Sequence, residues 1–127
     1  MGFDEFYGYL NQRQAHCYYP EFLYHNQERI YFPENGDHYR EENYSRKSNY
    51  DENGKVVPWG VKDPAKAKYS FDLYSEKTLE FIQENKDNPF FLFLAYTLPH
   101  GPLIVPELGV YKNEDWPIQY KEWAYPV

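Results

Sequence analysis

Apolar positions concentrate in two adjacent stretches of this chain, and each stretch has its own period. Over residues 69–86, Phe71, Tyr74, Thr78, Phe81 and Ile82 recur at intervals of one to four, tracing one face of an amphipathic helix. Ser70 or Asp72 is placed to cap its start. Asp87-Asn88-Pro89 ends it, because a proline disfavours helical geometry in the residue before it. Directly afterwards, Phe90-Phe91-Leu92-Phe93-Leu94-Ala95-Tyr96 is apolar at every position. A run that dense suits a strand covered on both faces, as in a parallel sheet. Helix, short loop and buried strand make an α/β unit. One such strand needs neighbours, so the chain reads as an internal slice of a larger α/β protein.

The remaining segments carry weaker patterns. Residues 2–32 are aromatic and punctuated by Gly2, Gly8 and Pro20, which predicts irregular loops and a short helix around Pro20–Tyr24. Residues 33–68 are polar and rich in turn signals, and predict a surface excursion with a hairpin at Asn53-Gly54. Residues 104–127 are expected to return to loop, given Pro106, Gly109, Pro117 and Pro126.

Composition narrows the function. The length of 127 residues suits one small domain. Aromatic residues make up 21%, enough to line a cleft or pack against further polypeptide. The formal charge of −7 argues against a nucleic-acid partner, whose phosphates demand clustered Lys and Arg. A small anion remains admissible, because it feels the local field of a pocket. The single cysteine, Cys17, excludes an internal disulfide and a cysteine metal cluster. No apolar run is long enough to span a bilayer. The residues after Met1 lack the basic and apolar regions of a signal peptide. The expectation is therefore a cytosolic protein, or a Met1 that is not the true start.

His100 is the first candidate for chemistry. It follows the apolar run, in Pro99-His100-Gly101-Pro102, and the loop beyond such a strand is where open α/β sheets place ligands.

Three segments, in this order and spacing, resemble the sulfatase family of the alkaline-phosphatase-like superfamily. The first is Gly2-Phe3-Asp4-Glu5-Phe6-Tyr7-Gly8-Tyr9, continuing through Pro20. The second is Tyr69-Ser70-Phe71-Asp72-Leu73, opening the helix that ends Glu84-Asn85-Lys86. The third is Pro89–Ala95 followed by Pro99-His100-Gly101-Pro102-Leu103 and Val105-Pro106. The likeness spans nearly the whole chain and is weakest over 33–68. It is greatest toward bacterial arylsulfatase-like proteins that act on sulfated sugars.

The resemblance implies an α/β fold, here part of an alkaline-phosphatase-like sandwich with an incomplete central sheet. Residues 1–127 would form the middle portion of the catalytic domain and pack against its remainder. The implied reaction is hydrolysis of a sulfate ester on a small molecule or saccharide. It uses a formylglycine made from Cys or Ser and a divalent cation, usually calcium. His100 matches the family histidine that contacts sulfate near the leaving oxygen. Gln12 falls near a position that lends a polar side chain to the pocket, and His16 lies close enough in sequence to reach sulfate or a sugar hydroxyl.

The family's metal ligands, an Asp-Asp pair near the true N-terminus and an Asp-Asn pair after a later strand, have no counterpart here, since Asp87-Asn88 is the helix stop, and its Gly-Lys-Trp-His segment is also absent from this sequence. Cys17 is followed by Tyr18-Tyr19-Pro20-Glu21, without the arginine of the Cys-x-Pro/Ala-x-Arg signature, so it reads as an unmodified thiol. The nucleophile and cation ligands are thus expected elsewhere, and this chain is expected to be inactive alone. Members of the family are commonly periplasmic or secreted. Tyr18, Tyr19, Trp59 and Trp116 are candidates for stacking on sugar rings, or for packing. Two alternatives fit part of the pattern: a phosphodiesterase or phosphonate monoester hydrolase of the same superfamily, and a non-catalytic carbohydrate-binding module.

Overall fold

The computed structural model describes residues 2–12, 14–35, 49–50, 56–57, 66–98, 100 and 105–125. A three-stranded antiparallel sheet holds β1 (Tyr7–Gly8), β2 (Phe22–His25) and β3 (Glu28–Tyr31), with β2 in the centre. A separate two-stranded pair joins β4 (Asn49–Tyr50) to β5 (Val56–Val57). The helices are α1 (Ser70–Asn85) and α2 (Ile118–Ala124).

The Pro20–Tyr24 region, expected as a helix, is strand β2. Its residues alternate, with Leu23 fully buried between the outward Phe22 and Tyr24. Aromatic side chains in alternation favour a pleated surface over a helix. A two-residue turn, Asn26-Gln27, joins β2 to β3 in the register His25↔Glu28 and Phe22↔Tyr31. Asn26 takes φ = 55°, the left-handed conformation that asparagine tolerates best after glycine. It also fixes β1: its amide donates to the Phe6 carbonyl at 2.7 Å, and its Oδ1 accepts from the Phe6 amide at 2.9 Å.

α1 lies one residue inside the predicted span at each end. No side chain caps it; the Ser70 amide instead donates to the Tyr18 carbonyl at 2.8 Å. Phe71, Tyr74, Thr78 and Phe81 are half-buried as the periodicity requires, while Ile82 is left exposed. Tyr74 meets Tyr7 and Tyr9 edge-on, joining the helix to the first strand. Glu5 adds an ionic link, pairing with His25 at 2.8 Å and with Lys77 at 3.1 Å. The core is Tyr18, Tyr19 and Tyr69, with Ala67, Phe71, Leu98 and Tyr125 packed against it.

The apolar run Phe90–Tyr96 enters no β-ladder among the described residues. It nevertheless runs back along α1: Phe81 meets Phe90 at 5.4 Å and Phe71 meets Tyr96 at 4.8 Å between ring centroids. Exposure along it alternates, with Phe91 and Phe93 at 74% and 69% and Phe90 and Leu94 at 44% and 46%. That is the side-chain period of a strand without the ladder. Residues 104–127, expected as loop, contain a 3-10 helix at Gly109–Asn113 and α2. Pro117 sits at the N-cap of α2, so it starts a helix rather than breaking one.

The expected hairpin around Asn53-Gly54 is bracketed by β4 and β5; the turn itself, and most of the expected 33–68 excursion, lie outside the described residues. The two ends of that segment are joined by one side chain. Asn35 is fully buried; its Nδ2 donates to the Pro20 and Lys68 carbonyls at 2.7 and 2.8 Å, and its Oδ1 accepts from the Lys68 amide at 2.6 Å. Asn35→Ala removes three bonds and strands buried backbone groups, so it should destabilise the protein by about 3 kcal/mol. A fall in the urea midpoint with an unchanged m-value is the expected readout. Asn35→Asp should cost at least as much, because it loses both donations and buries a charge.

Candidate functional site

Gln12, His16 and His100 come together at the surface where two segments meet. Asn11 begins the first: its carbonyl accepts from the Ala15 amide at 3.0 Å, and a 3-10 turn over Gln14–His16 follows. This turn is anchored by Gln14, whose buried Nε2 donates to the Phe22 carbonyl at 2.9 Å. His16 Nδ1 donates to the Gln12 carbonyl at 2.8 Å. A carbonyl can only accept, so this bond places the proton on Nδ1 and leaves Nε2 as the acceptor nitrogen of the neutral ring.

The second segment leaves the apolar run and turns at its end, where the His100 amide donates to the Thr97 carbonyl at 3.1 Å. The imidazoles of His16 and His100 meet edge to face, with centroids 4.7 Å apart and planes at 81°. His100 is exposed and His16 is half-buried. Behind them, the hydroxyl of Tyr18 donates to the His100 carbonyl. Tyr18 is 1% exposed, so a core side chain reaches out to fix the backbone of a surface histidine.

The three residues singled out in the sequence are therefore neighbours, with different parts. Gln12 takes part through its main-chain carbonyl, and its side chain lies on the exposed surface. The buried glutamine of this turn is Gln14. Sequence reasoning did not single out Tyr18 as a positioning residue; no local pattern distinguishes it from the other tyrosines. Of the aromatic residues considered for sugar stacking, Tyr18 and Tyr19 are core and unavailable. Trp116 is exposed but stacks on Tyr111 at 5.4 Å, and Trp59 lies outside the described residues.

Cys17 adjoins this turn without joining it. Its thiol donates to the Tyr19 carbonyl at 3.2 Å, and burial pushes its pKa up to about 11. A thiol held protonated is a poor nucleophile at neutral pH. Among the described residues, no three His, Cys, Asp or Glu side chains are placed to hold a metal ion.

The sequence model of the sulfatase family, described as "Sulfatase", matches residues 1–126, and the chain belongs to that family. No individual curated protein matches it. Membership brings an alkaline-phosphatase-like α/β fold and a sulfatase-type hydrolase; the small antiparallel sheet and two helices are compatible with part of such a fold. The family typically uses a metal and a formylglycine. Among the described residues no helix is long and apolar enough to cross a membrane.

The Cys17 environment yields a direct test. At pH 8.5 a thiol of pKa about 11 is roughly 150-fold poorer in thiolate than an ordinary cysteine. The greater nucleophilicity of a more basic thiolate returns about tenfold of that. Alkylation by iodoacetamide should therefore run about tenfold slower in the folded chain than in urea, accelerating as pH rises toward 11. Equal rates in the two states would contradict the burial assigned to this thiol.

Proposed function

We propose that this chain is the middle portion of a sulfatase catalytic domain whose parent enzyme hydrolyses sulfate esters, with a sulfated carbohydrate as substrate. In this reading the nucleophile and the cation ligands belong to flanking polypeptide. The observation that carries the reading is the His16–His100 pair at the end of the apolar run, with Tyr18 holding the His100 main chain.

Charge builds on the leaving alkoxide as a sulfate ester breaks. A protonated imidazole can donate a hydrogen bond to a sulfate oxygen, and can pass its proton to the departing oxygen. His100 takes that part. His16 sets the edge-on environment of the ring, and its bond to the Gln12 carbonyl fixes its own tautomer. Tyr18 limits where the histidine can move, which matters because small displacements of a catalytic group are costly in rate.

His100→Ala in the full-length enzyme should lower kcat by about 100- to 10,000-fold with thermal stability retained, the usual contribution of a general acid. Tyr18→Phe should lower kcat while leaving the pH profile in place, since it moves the imidazole without replacing it. Near-normal turnover of a sulfated aryl or saccharide substrate by His100→Ala would reject the role. The 127-residue chain by itself should release no sulfate above background; measurable release would reject the assignment of the nucleophile to flanking polypeptide.

A further inference from the structure

The β2–β3 hairpin carries a second feature, which shares no residue with the His16–His100 pair. Pairing places Phe22 opposite Tyr31 and Tyr24 opposite Arg29, so these four side chains occupy one face. By the same alternation, Leu23, His25, Glu28 and Ile30 belong to the other face, where Leu23 joins the buried side. Three aromatic residues and one cation thus make up the outward face.

The cation is held in a defined place. The Arg29 guanidinium carbon lies 4.6 Å from the Phe22 ring centroid and 5.6 Å from that of Tyr24. Its Nε donates to the Tyr24 hydroxyl at 3.1 Å, and one terminal nitrogen reaches the Tyr31 hydroxyl at 3.5 Å. Phe22 in turn packs at 5.5 Å against both Tyr24 and Tyr31. A guanidinium has five N–H donors, and these two contacts engage two of them. Among the described residues Arg29 makes no ion pair, although the chain carries a formal charge of −7. A cation with no ion pair among the described residues, stacked on the half-buried rings of Phe22 and Tyr24 beside the exposed Tyr31, is complementary to an oxyanion attached to a ring with an apolar face.

We propose that the Phe22–Tyr24–Arg29–Tyr31 face of the β2–β3 hairpin binds an oxyanion-bearing saccharide. Arg29 receives the sulfate or carboxylate through its remaining N–H groups, and Tyr31, 53% exposed, lies under the sugar ring. The aromatic bed pre-orders the guanidinium, which reduces the entropy lost when the anion docks. Gln14 links the main chain of this face, at the Phe22 carbonyl, to the turn that carries His16.

Binding is measured by calorimetry on the 127-residue chain, using a chondroitin sulfate tetrasaccharide, an unsulfated chondroitin tetrasaccharide carrying carboxylates alone, and a neutral dextran oligomer. Either anionic sugar should bind more tightly than dextran. The stronger of the two identifies the oxyanion preferred. Arg29→Ala should weaken anionic binding about tenfold or more, as expected for loss of a charge-assisted contact. Arg29→Lys keeps the charge but not the fork, and should fall between. Tyr31→Ala should also weaken binding, and circular dichroism of Arg29→Lys and Tyr31→Ala verifies that the hairpin persists. Dextran binding as well as the anionic sugars, unchanged affinity in Arg29→Ala, or no binding by the wild-type chain at millimolar sugar would each overturn the proposal. None of these readouts involves sulfate hydrolysis, so the outcome is independent of the function proposed for His100.

Discussion

The buried ring of Tyr18 connects the three parts of this structure that matter for chemistry. Its carbonyl accepts the first amide of α1, its ring packs edge-on against Tyr69, and its hydroxyl donates to the His100 carbonyl. Helix start, aromatic core and candidate catalytic loop therefore share one residue. A buried hydroxyl needs a partner, and a surface loop needs an anchor; one bond meets both needs. Asn35 does the same for the strand region, tying the Pro20 carbonyl beside Tyr19 to Lys68 just before α1. The core is thus organised by polar bonds from buried side chains as much as by apolar area.

Some of this architecture was legible in the sequence because it follows from period and punctuation. The α1 stripe through Phe71, Tyr74, Thr78 and Phe81 needs only helical spacing, and the Asn88-Pro89 stop needs only proline sterics. Other parts are not legible, because the same residues serve two purposes. Pro117 has the sequence character of a loop marker and is the entry to a helix. Asn26-Gln27 lacks the glycine that announces a tight hairpin, yet Asn26 alone supplies the positive φ that joins β2 to β3. Asn35-Gly36 has the signature of a turn; nothing local tells that the Asn35 amide will be buried against partners at positions 20 and 68.

The candidate site divides in the same way. His100 was legible from its place after an apolar run, and His16 and Gln12 from their place in the family pattern. Their contact geometry was not. The Gln12 main chain rather than its side chain faces His16, because a turn of this tightness leaves carbonyl 12 within reach of ring 16. Tyr18 and Arg29 depend on long-range or cross-strand neighbours, Tyr18 on a partner 82 residues away. Such partners exist only once the chain has folded.

The run Phe90–Tyr96 shows how far local sequence can determine a strand that has no ladder partner among the described residues. Its even-numbered side leans on α1 through Phe90 and Tyr96, and its odd-numbered side carries Phe91 and Phe93 into solvent. Covering Phe90, Phe91, Phe93 and Leu94 would recover on the order of 3–6 kcal/mol, taking about half of the full burial value for each. That is comparable with the whole net stability of a small domain. Patches of this kind on folded proteins mark contact surfaces. Within the reading proposed for this chain, the contact is the rest of a sulfatase sheet. It would supply the ladder that fixes the strand end-to-end, and with it the distance between His100 and a substrate held by residues of the flanking polypeptide. Tyr18 constrains the histidine from one side; the sheet would constrain it from the other.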